Sequence, residues 1–192
     1  MSALFSDELK LGTKSEHAQL EKKLVLDIKK INTVAGYTAL LKMFYGFYHP
    51  IEQQLDAYLA PGLPDFPERR KSAAILQDLE VLGEDTANLP LAGDIPQIDS
   101  YAAALGASYV LEGSTLGGSI IAKMISSQLG RQPGKGFSFF SGYGENTMPM
   151  WQVFRAQLNK LSGANDQELA VRTAKQTFLK FNQWAGTYEP VL

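Results

Sequence analysis

The chain predicts a single, nearly all-α domain, and three observations predict it. Apolar residues recur at helical spacing over most of its length, while the strict alternation of a half-buried strand is scarce. The helical runs are separated by loops rich in Gly, Pro, Asp and Asn, and no repeat, low-complexity tract or linker divides the chain. At 192 residues the sequence is about one domain long, taken as 1–192, and can bury roughly 70% of its unfolded surface.

Taken in order, Ser6-Asp-Glu-Leu resembles an N-cap with acids in the first turn, and Leu9, Thr13, Leu20 and Leu24 follow at helical spacing. A second helical region runs from about Thr33 to Leu59, interrupted or kinked near Pro50. Residues 60–67 read as a loop, about Glu68 to Leu82 as a helix, and Gly83 to Pro96 as loop again. Asp99 is the expected cap of a long helix reaching about Leu129, kinked at its glycines. Gly130 to Met148 is expected to be a loop of Gly, Ser and aromatics. Pro149 suits the first turn of a helix to about Leu161, and Asn165 is the expected cap of a last helix to about Gly186.

Composition narrows the function classes. Charge is nearly balanced (Lys+Arg 18, Asp+Glu 20), which gives no support for nucleic acid or a strongly anionic surface as partner. Cysteine is absent, which removes disulfides, thiolate nucleophiles and zinc–sulfur sites together. The N-terminus lacks the basic and apolar regions of a signal peptide, and no apolar run is long enough for a membrane span. The expected setting is the cytoplasm, with no membrane partner.

The most informative stretch is Tyr109 to Ile125. It reads as a helix, yet Gly113, Gly117 and Gly118 sit in its middle, each costing roughly 0.5–1 kcal/mol relative to Ala. Their spacing is read as placing all three near one face, where bare main chain can receive something flat and bulky. Close helix packing is the competing explanation for one pair of them. The membrane-dimer version fails because Glu112 and Lys123 leave too short an apolar span. Phosphate-loop readings of the glycine runs fail on spacing and on the absence of a preceding strand.

Two histidines exist. His17 lies on the apolar stripe of the first helix, with Glu21 one turn later, so the carboxylate can accept from Nδ1–H and turn Nε2 outward as a metal ligand. Lys10 precedes His17 at nearly the same helical angle, about 10 Å along the axis. The alternative is a half-buried histidine paired with Glu21 beside a solvated lysine. His49, before Pro50, reads as packing or surface. Phe137, Phe139, Phe140 and Tyr143 read more readily as core cover than as ligand contacts. Arg155 flanks the apolar stripe of Trp151, Phe154 and Leu158 and can pair with a carboxylate.

These pieces resemble a family. Leu9-Lys-Leu-Gly-Thr-Lys-Ser-Glu-His-Ala-Gln-Leu-Glu21 is similar to the proximal helix of haem oxygenases, and Tyr109-Val-Leu-Glu-Gly-Ser-Thr-Leu-Gly-Gly118 to their distal helix. Phe154-Arg-Ala-Gln-Leu-Asn159 and Ala174-Lys-Gln-Thr-Phe-Leu-Lys-Phe-Asn182 resemble the two C-terminal helices. The order and separations agree over nearly the whole chain. The resemblance implies an all-α haem-oxygenase-like bundle with a kinked glycine-rich distal helix. It implies His17 as proximal iron ligand, Glu21 as its partner, and Lys10 and Arg155 on the haem propionates. Gly113, Gly117 and Gly118 would form the distal wall, Tyr109 would lie near the propionates, and Phe178 would touch haem. Many members carry Asp where this chain has Ser114, so the anchor of distal water differs here.

The implied reaction uses haem as both cofactor and substrate. With O2 and an external electron donor, such as ferredoxin or a flavin reductase, it yields biliverdin, carbon monoxide and Fe²⁺, and a phytochrome could accept the biliverdin. A haem-binding or carrier protein without turnover is the alternative. A helical enzyme of the thiaminase type is a third, against which the absence of cysteine counts.

Overall fold

The structure, a computed structural model, describes residues 4–69, 72–132 and 134–188. All regular elements among them are helical: α1 (Phe5–Gly12), α2 (Lys14–Ile28), α3 (Val34–Leu59), α4 (Ala73–Val81), α5 (Tyr101–Gly113), α6 (Thr115–Gln128), α7 (Ser138–Ser141), α8 (Thr147–Leu158) and α9 (Ala164–Ala185). Short 3-10 turns lie at Phe66–Glu68 and Gly144–Asn146.

α3 begins where the sequence says it should, because the Thr33 hydroxyl accepts from the Gly36 amide at 3.0 Å, and it runs on through Pro50. Three other caps differ from expectation. Ser6 lies inside α1, not ahead of it; the helix starts after Leu4 with no side-chain cap, and Ser6 is buried because its Oγ accepts from Arg155. Ser100 rather than Asp99 caps α5, accepting from the Ala103 amide at 3.2 Å. Gly163, at φ +108°, precedes α9 in place of a capping Asn165, a backbone setting that favours glycine.

The expected helix from Glu68 starts later, at Ala73. Pro67 sits in a 3-10 turn, and Arg69 leaves that turn extended (φ −73°, ψ 146°), drawn inward by two carboxylates. The segment expected to be a simple loop from Gly130 holds the helical turn α7. Asp78 on α4 fixes that turn, its carboxylate accepting from the Ser138 amide (2.9 Å), the Ser138 hydroxyl (2.7 Å) and the Phe139 amide (2.8 Å). Phe137, Phe139 and Phe140 are thereby seated in the core.

The core gathers round α9, which packs most extensively against α5 and also carries α2. The approach of α5 and α9 is set by Gly106, where a Cβ would meet the Ala170 carbonyl oxygen at 2.3 Å. No side chain fits there. On the other face of the core, Phe47 of α3 stacks on Phe181 of α9 with ring centroids 4.7 Å apart, while Phe44 sets its edges against Phe139, Phe140 and Phe181. The long connection before α5 is tied across α3, where the Ala92 amide donates to the Gly46 carbonyl at 2.9 Å. No helix among the described residues is long and apolar enough to cross a membrane.

Candidate functional site

The α1–α2 segment and the α5–α6 segment touch at two points, one toward each end of α2. At one end, Tyr109 of α5 meets Thr13, which separates α1 from α2. At the other end, the Gln128 amide of α6 donates to the carbonyls of Ile28 (3.4 Å) and Lys29 (3.0 Å), where α2 stops. At 1.5 Å per residue, the path from Thr13 to Ile28 is about 22 Å and that from Tyr109 to Gln128 about 28 Å. The longer path is interrupted at Ser114, where α5 ends and α6 begins. The kink expected at the glycines is thus a break between two helices.

Between these two points both segments carry exposed or lightly packed groups. The His17 side chain on α2 is 58% exposed, and its ring edge rests on Phe178 of α9 at a centroid distance of 5.5 Å. Glu21 lies one turn on, with Oε2 at 3.8 Å from Nδ1, beyond the reach of the hydrogen bond expected. On α6, a Cβ at Gly117 would meet nothing within 4 Å, and Leu116 (39%) and Ile120 (64%) are exposed beside it. A Cβ at Gly113 would reach only ordinary contact with the Trp151 ring, at 3.8 Å.

Gly118 does not share this face. A Cβ there would meet the Phe140 carbonyl oxygen at 2.3 Å, so this glycine lets α6 lie on the backbone of α7. One residue rotates a helix by about 100°, which carries position 118 away from 117 and into the core. The three glycines divide into two on the open face and one packing contact.

The remaining sequence-predicted residues converge at the Thr13 end, with one exception. Arg155 on α8 donates to the Ser6 hydroxyl (3.2 and 3.0 Å) and pairs with Asp7 at 2.8 Å. Burial pushes the Tyr109 phenol above its usual range; Thr13 and Arg155 work the other way, and Asp7 adds to the rise. Tyr109 therefore stays a neutral donor at physiological pH. Lys10 is exposed on α1. The Ser114 hydroxyl donates back to the Leu111 carbonyl at 2.6 Å, and Thr115 does the same to Glu112 at 2.6 Å, so both serve the chain at the break. His49 stacks on Tyr45 with its ring centroid 4.9 Å away and belongs to the α3 surface.

The sequence reading missed a buried charged cluster directly behind the break. Arg69 grips Asp65 with two hydrogen bonds (3.2 and 2.7 Å) and Glu112 with one (2.7 Å), and Tyr143 donates to the same Glu112 carboxylate at 3.0 Å. The available signal was Glu112 itself, a carboxylate in the otherwise apolar run from Tyr101 to Gly113. A larger open groove of about 560 Å³ lies at the other end of α5, lined by Tyr58, Gly62, Tyr101 and Lys160 among others. Volume does not decide the site. The groove contains neither the His17 imidazole nor the bare helix face at Gly117.

Comparison with known proteins agrees with this placement of elements. Residues 3–187 match the family model described as heme oxygenase. A heme oxygenase of Xanthomonas campestris pv. campestris is 31% identical over 150 residues, covering 76% of this chain and 86% of that one. The structure of heme oxygenase from Leptospira interrogans superposes with a TM-score of 0.78 at 23% identity, covering 96% of this chain and 100% of the other. That of Neisseria meningitidis, solved in NO- and CO-bound forms, gives 0.75 at 22% identity, with 97% and 92% covered. Heme oxygenase-1 from the cyanobacterium Synechocystis, in complex with heme, gives 0.76 at 17% identity, with 97% and 93% covered, so these three share the fold. The chain belongs to the haem oxygenase family, enzymes that bind haem and cleave it oxidatively at a meso carbon to biliverdin, carbon monoxide and Fe²⁺.

Proposed function

We propose that haem is held between α2 and α6, where Nε2 of His17 would bind its iron and Gly113 and Gly117 would form the opposite wall. One observation carries the reading. An exposed imidazole and a helix face stripped of side chains lie on two segments that touch toward each end of α2. The residues fit the group: an iron-bearing macrocycle needs a nitrogen donor on one side and room for a flat apolar body on the other, and Leu116 and Ile120 supply apolar surface beside the glycines.

When bound, haem supplies both the redox-active iron and the carbon skeleton that is cut. The protein's part is orientation and control of protons. Phe178 steadies the His17 ring, and Glu21 lies close enough to accept from Nδ1–H after a small side-chain rotation, which raises the basicity of the ligand nitrogen. Arg155 stands where α1, α5 and α8 meet and already shares its guanidinium with one carboxylate, Asp7. With Lys10 and the neutral Tyr109 phenol it forms a polar corner suited to the propionates. Opposite the imidazole, Ser114 offers no acid proton, so water ordered there is hydrogen-bonded without a strong proton donor. O2 is the oxidant, and ferredoxin or a flavin reductase supplies the electrons from outside the chain. A phytochrome is the proposed acceptor of the biliverdin.

Titrating the purified protein with hemin and then adding ascorbate tests this directly. The expected result is a Soret band that bleaches as one biliverdin isomer accumulates, identified by chromatography. Binding without bleaching would make the chain a haem carrier. His17→Ala should change the Soret spectrum and abolish turnover, and unchanged spectra with unchanged product would remove His17 from the site.

A further inference from the structure

We propose that Arg69, Glu112 and Tyr143 are positioning residues, which fix where the glycine helix breaks and thereby hold Gly113 and Gly117 at their height above the substrate. The inference rests on the haem-site reading above, because it concerns the wall which that reading assigns to haem.

The cluster is costly to build, so its location asks for a reason. The Arg69 side chain is 2% exposed and that of Glu112 9%, a setting in which charge is tolerated only when closely paired. Glu112 is the penultimate residue of α5, next to Gly113 and two before the break at Ser114. Its carboxylate therefore holds the backbone at the point where the distal wall is interrupted.

What it is held to matters as much. Arg69 sits just past the 3-10 turn and is itself fixed to Asp65 by a fork of two hydrogen bonds. Its guanidinium also donates to the Met150 carbonyl at 3.4 Å and lies over the Phe154 ring at 5.3 Å. Both of those residues are on α8, which places Trp151 against Gly113 and within 5.6 Å of the Tyr109 ring. Tyr143 comes from the connection after α7, whose Phe140 backbone presses on Gly118. Four segments distant in sequence thus meet behind one helix break. A small cavity of about 10 Å³ adjoins the cluster and is lined by Tyr48, Glu52, Ser108, Arg69 and Glu112 among others. The positive charge also lies near the C-terminal end of α5, where the helix dipole favours a cation.

A pair that served stability alone could be exchanged for neutral residues without altering how a bound ligand is presented. A positioning cluster could not. The test compares wild type, Glu112→Gln and Tyr143→Phe in hemin affinity, ascorbate-driven turnover, biliverdin isomer ratio and the C–O stretching frequency of the ferrous carbon monoxide complex.

Glu112→Gln is expected to keep hemin affinity within about threefold of wild type. Its turnover should fall at least tenfold, or its product become an isomer mixture, and its C–O band should shift or broaden. Tyr143→Phe, which changes no charge, should move the same readings in the same direction by less, and decides the question alone if Glu112→Gln does not fold. An unmoved C–O band with a wild-type isomer ratio overturns the proposal, including where turnover falls only in step with hemin affinity. Failure of the wild type itself to bind or degrade hemin would sink the haem-site reading and this inference with it. A competent wild type with unaffected variants sinks the inference alone.

Discussion

Replacing Gly117 and Gly118 one at a time by alanine separates the open face of the distal helix from its packed face. Both residues are helical, and neither has positive φ, so alanine is conformationally acceptable at either position. Each exchange should gain about 0.5–1 kcal/mol of helix propensity, a term common to both that cancels in their difference. The surroundings do not cancel. At Gly117 the new methyl meets nothing within 4 Å, so apoprotein stability should rise by that propensity gain. At Gly118 it meets the Phe140 carbonyl oxygen at 2.3 Å and carbon at 3.2 Å. Those atoms belong to α7, whose first turn donates two backbone hydrogen bonds and one from the Ser138 hydroxyl to Asp78, so the neighbour cannot swing aside as a side-chain end would. Overpacking of this kind costs about 1–3 kcal/mol. The two variants should therefore differ by roughly 1–3 kcal/mol, or about 2–4 °C in Tm for each kcal/mol in a domain of this size. Denaturant unfolding of the apoproteins, followed by helical circular dichroism, measures the difference. Equal stabilities, or Gly117→Ala as the weaker protein, would refute the division of the two faces. With hemin present the ranking should no longer favour Gly117→Ala, because its methyl occupies space assigned to the macrocycle. Undiminished hemin degradation by that variant would refute the assignment.

Two further predictions concern the frame around the site. Asp78→Asn keeps the shape of the side chain but removes the charge that three donors share, and should destabilise the protein by about 1–3 kcal/mol in denaturant unfolding. Glu84 is held below its ordinary pKa first by the hydrogen bond from Lys42 and then by that from Thr38, with burial opposing. Its folded-state pKa is depressed, so its contribution is present above the unfolded value and is lost as pH falls through the folded one. The pair is partly exposed and worth less than about 1 kcal/mol, so Glu84→Gln should lower neutral and alkaline stability by no more than that, leave stability below the folded pKa unchanged, and so slightly flatten the acid side of the stability–pH curve.

How much of this was legible in the sequence depended on whether the cause was local. The break in the distal helix was, because Gly113 and Gly117 weaken a helix wherever it lies. The pairing of His17 with Glu21 was foreseeable from their spacing, although the 3.8 Å separation was not. The direction of Gly118 could have been worked out from the rotation per residue, but the neighbour that makes glycine obligatory there, Phe140, lies on another helix. Caps failed where two capping residues adjoin: Asp99 and Ser100 are chemically equivalent candidates, and only the path of the incoming chain chooses between them. The Arg69–Glu112 pair spans 43 residues, and no local pattern could join them. Taken alone, Arg69 read as part of a helix starting at Glu68.

The two walls of the proposed site are held very differently, and this bears on how the site accommodates its substrate. The α6 wall is fixed from behind at Gly118 by backbone contact, at Glu112 by a buried ion pair, and at Thr115 by a hydroxyl bond to the Glu112 carbonyl. The α2 wall rests mainly on α9, and the His17 and Glu21 side chains are largely in solvent. Rearranging a tightly packed backbone contact requires the core to move, whereas turning two exposed side chains requires only rotamer changes. In the proposed site, adjustment on binding therefore falls on the imidazole side, and the glycine face is the fixed reference against which the substrate would be placed. That division suits an enzyme whose product isomer depends on which edge of a flat substrate meets the distal wall: a tolerant ligand can follow the iron, but a tolerant wall would blur the choice of carbon.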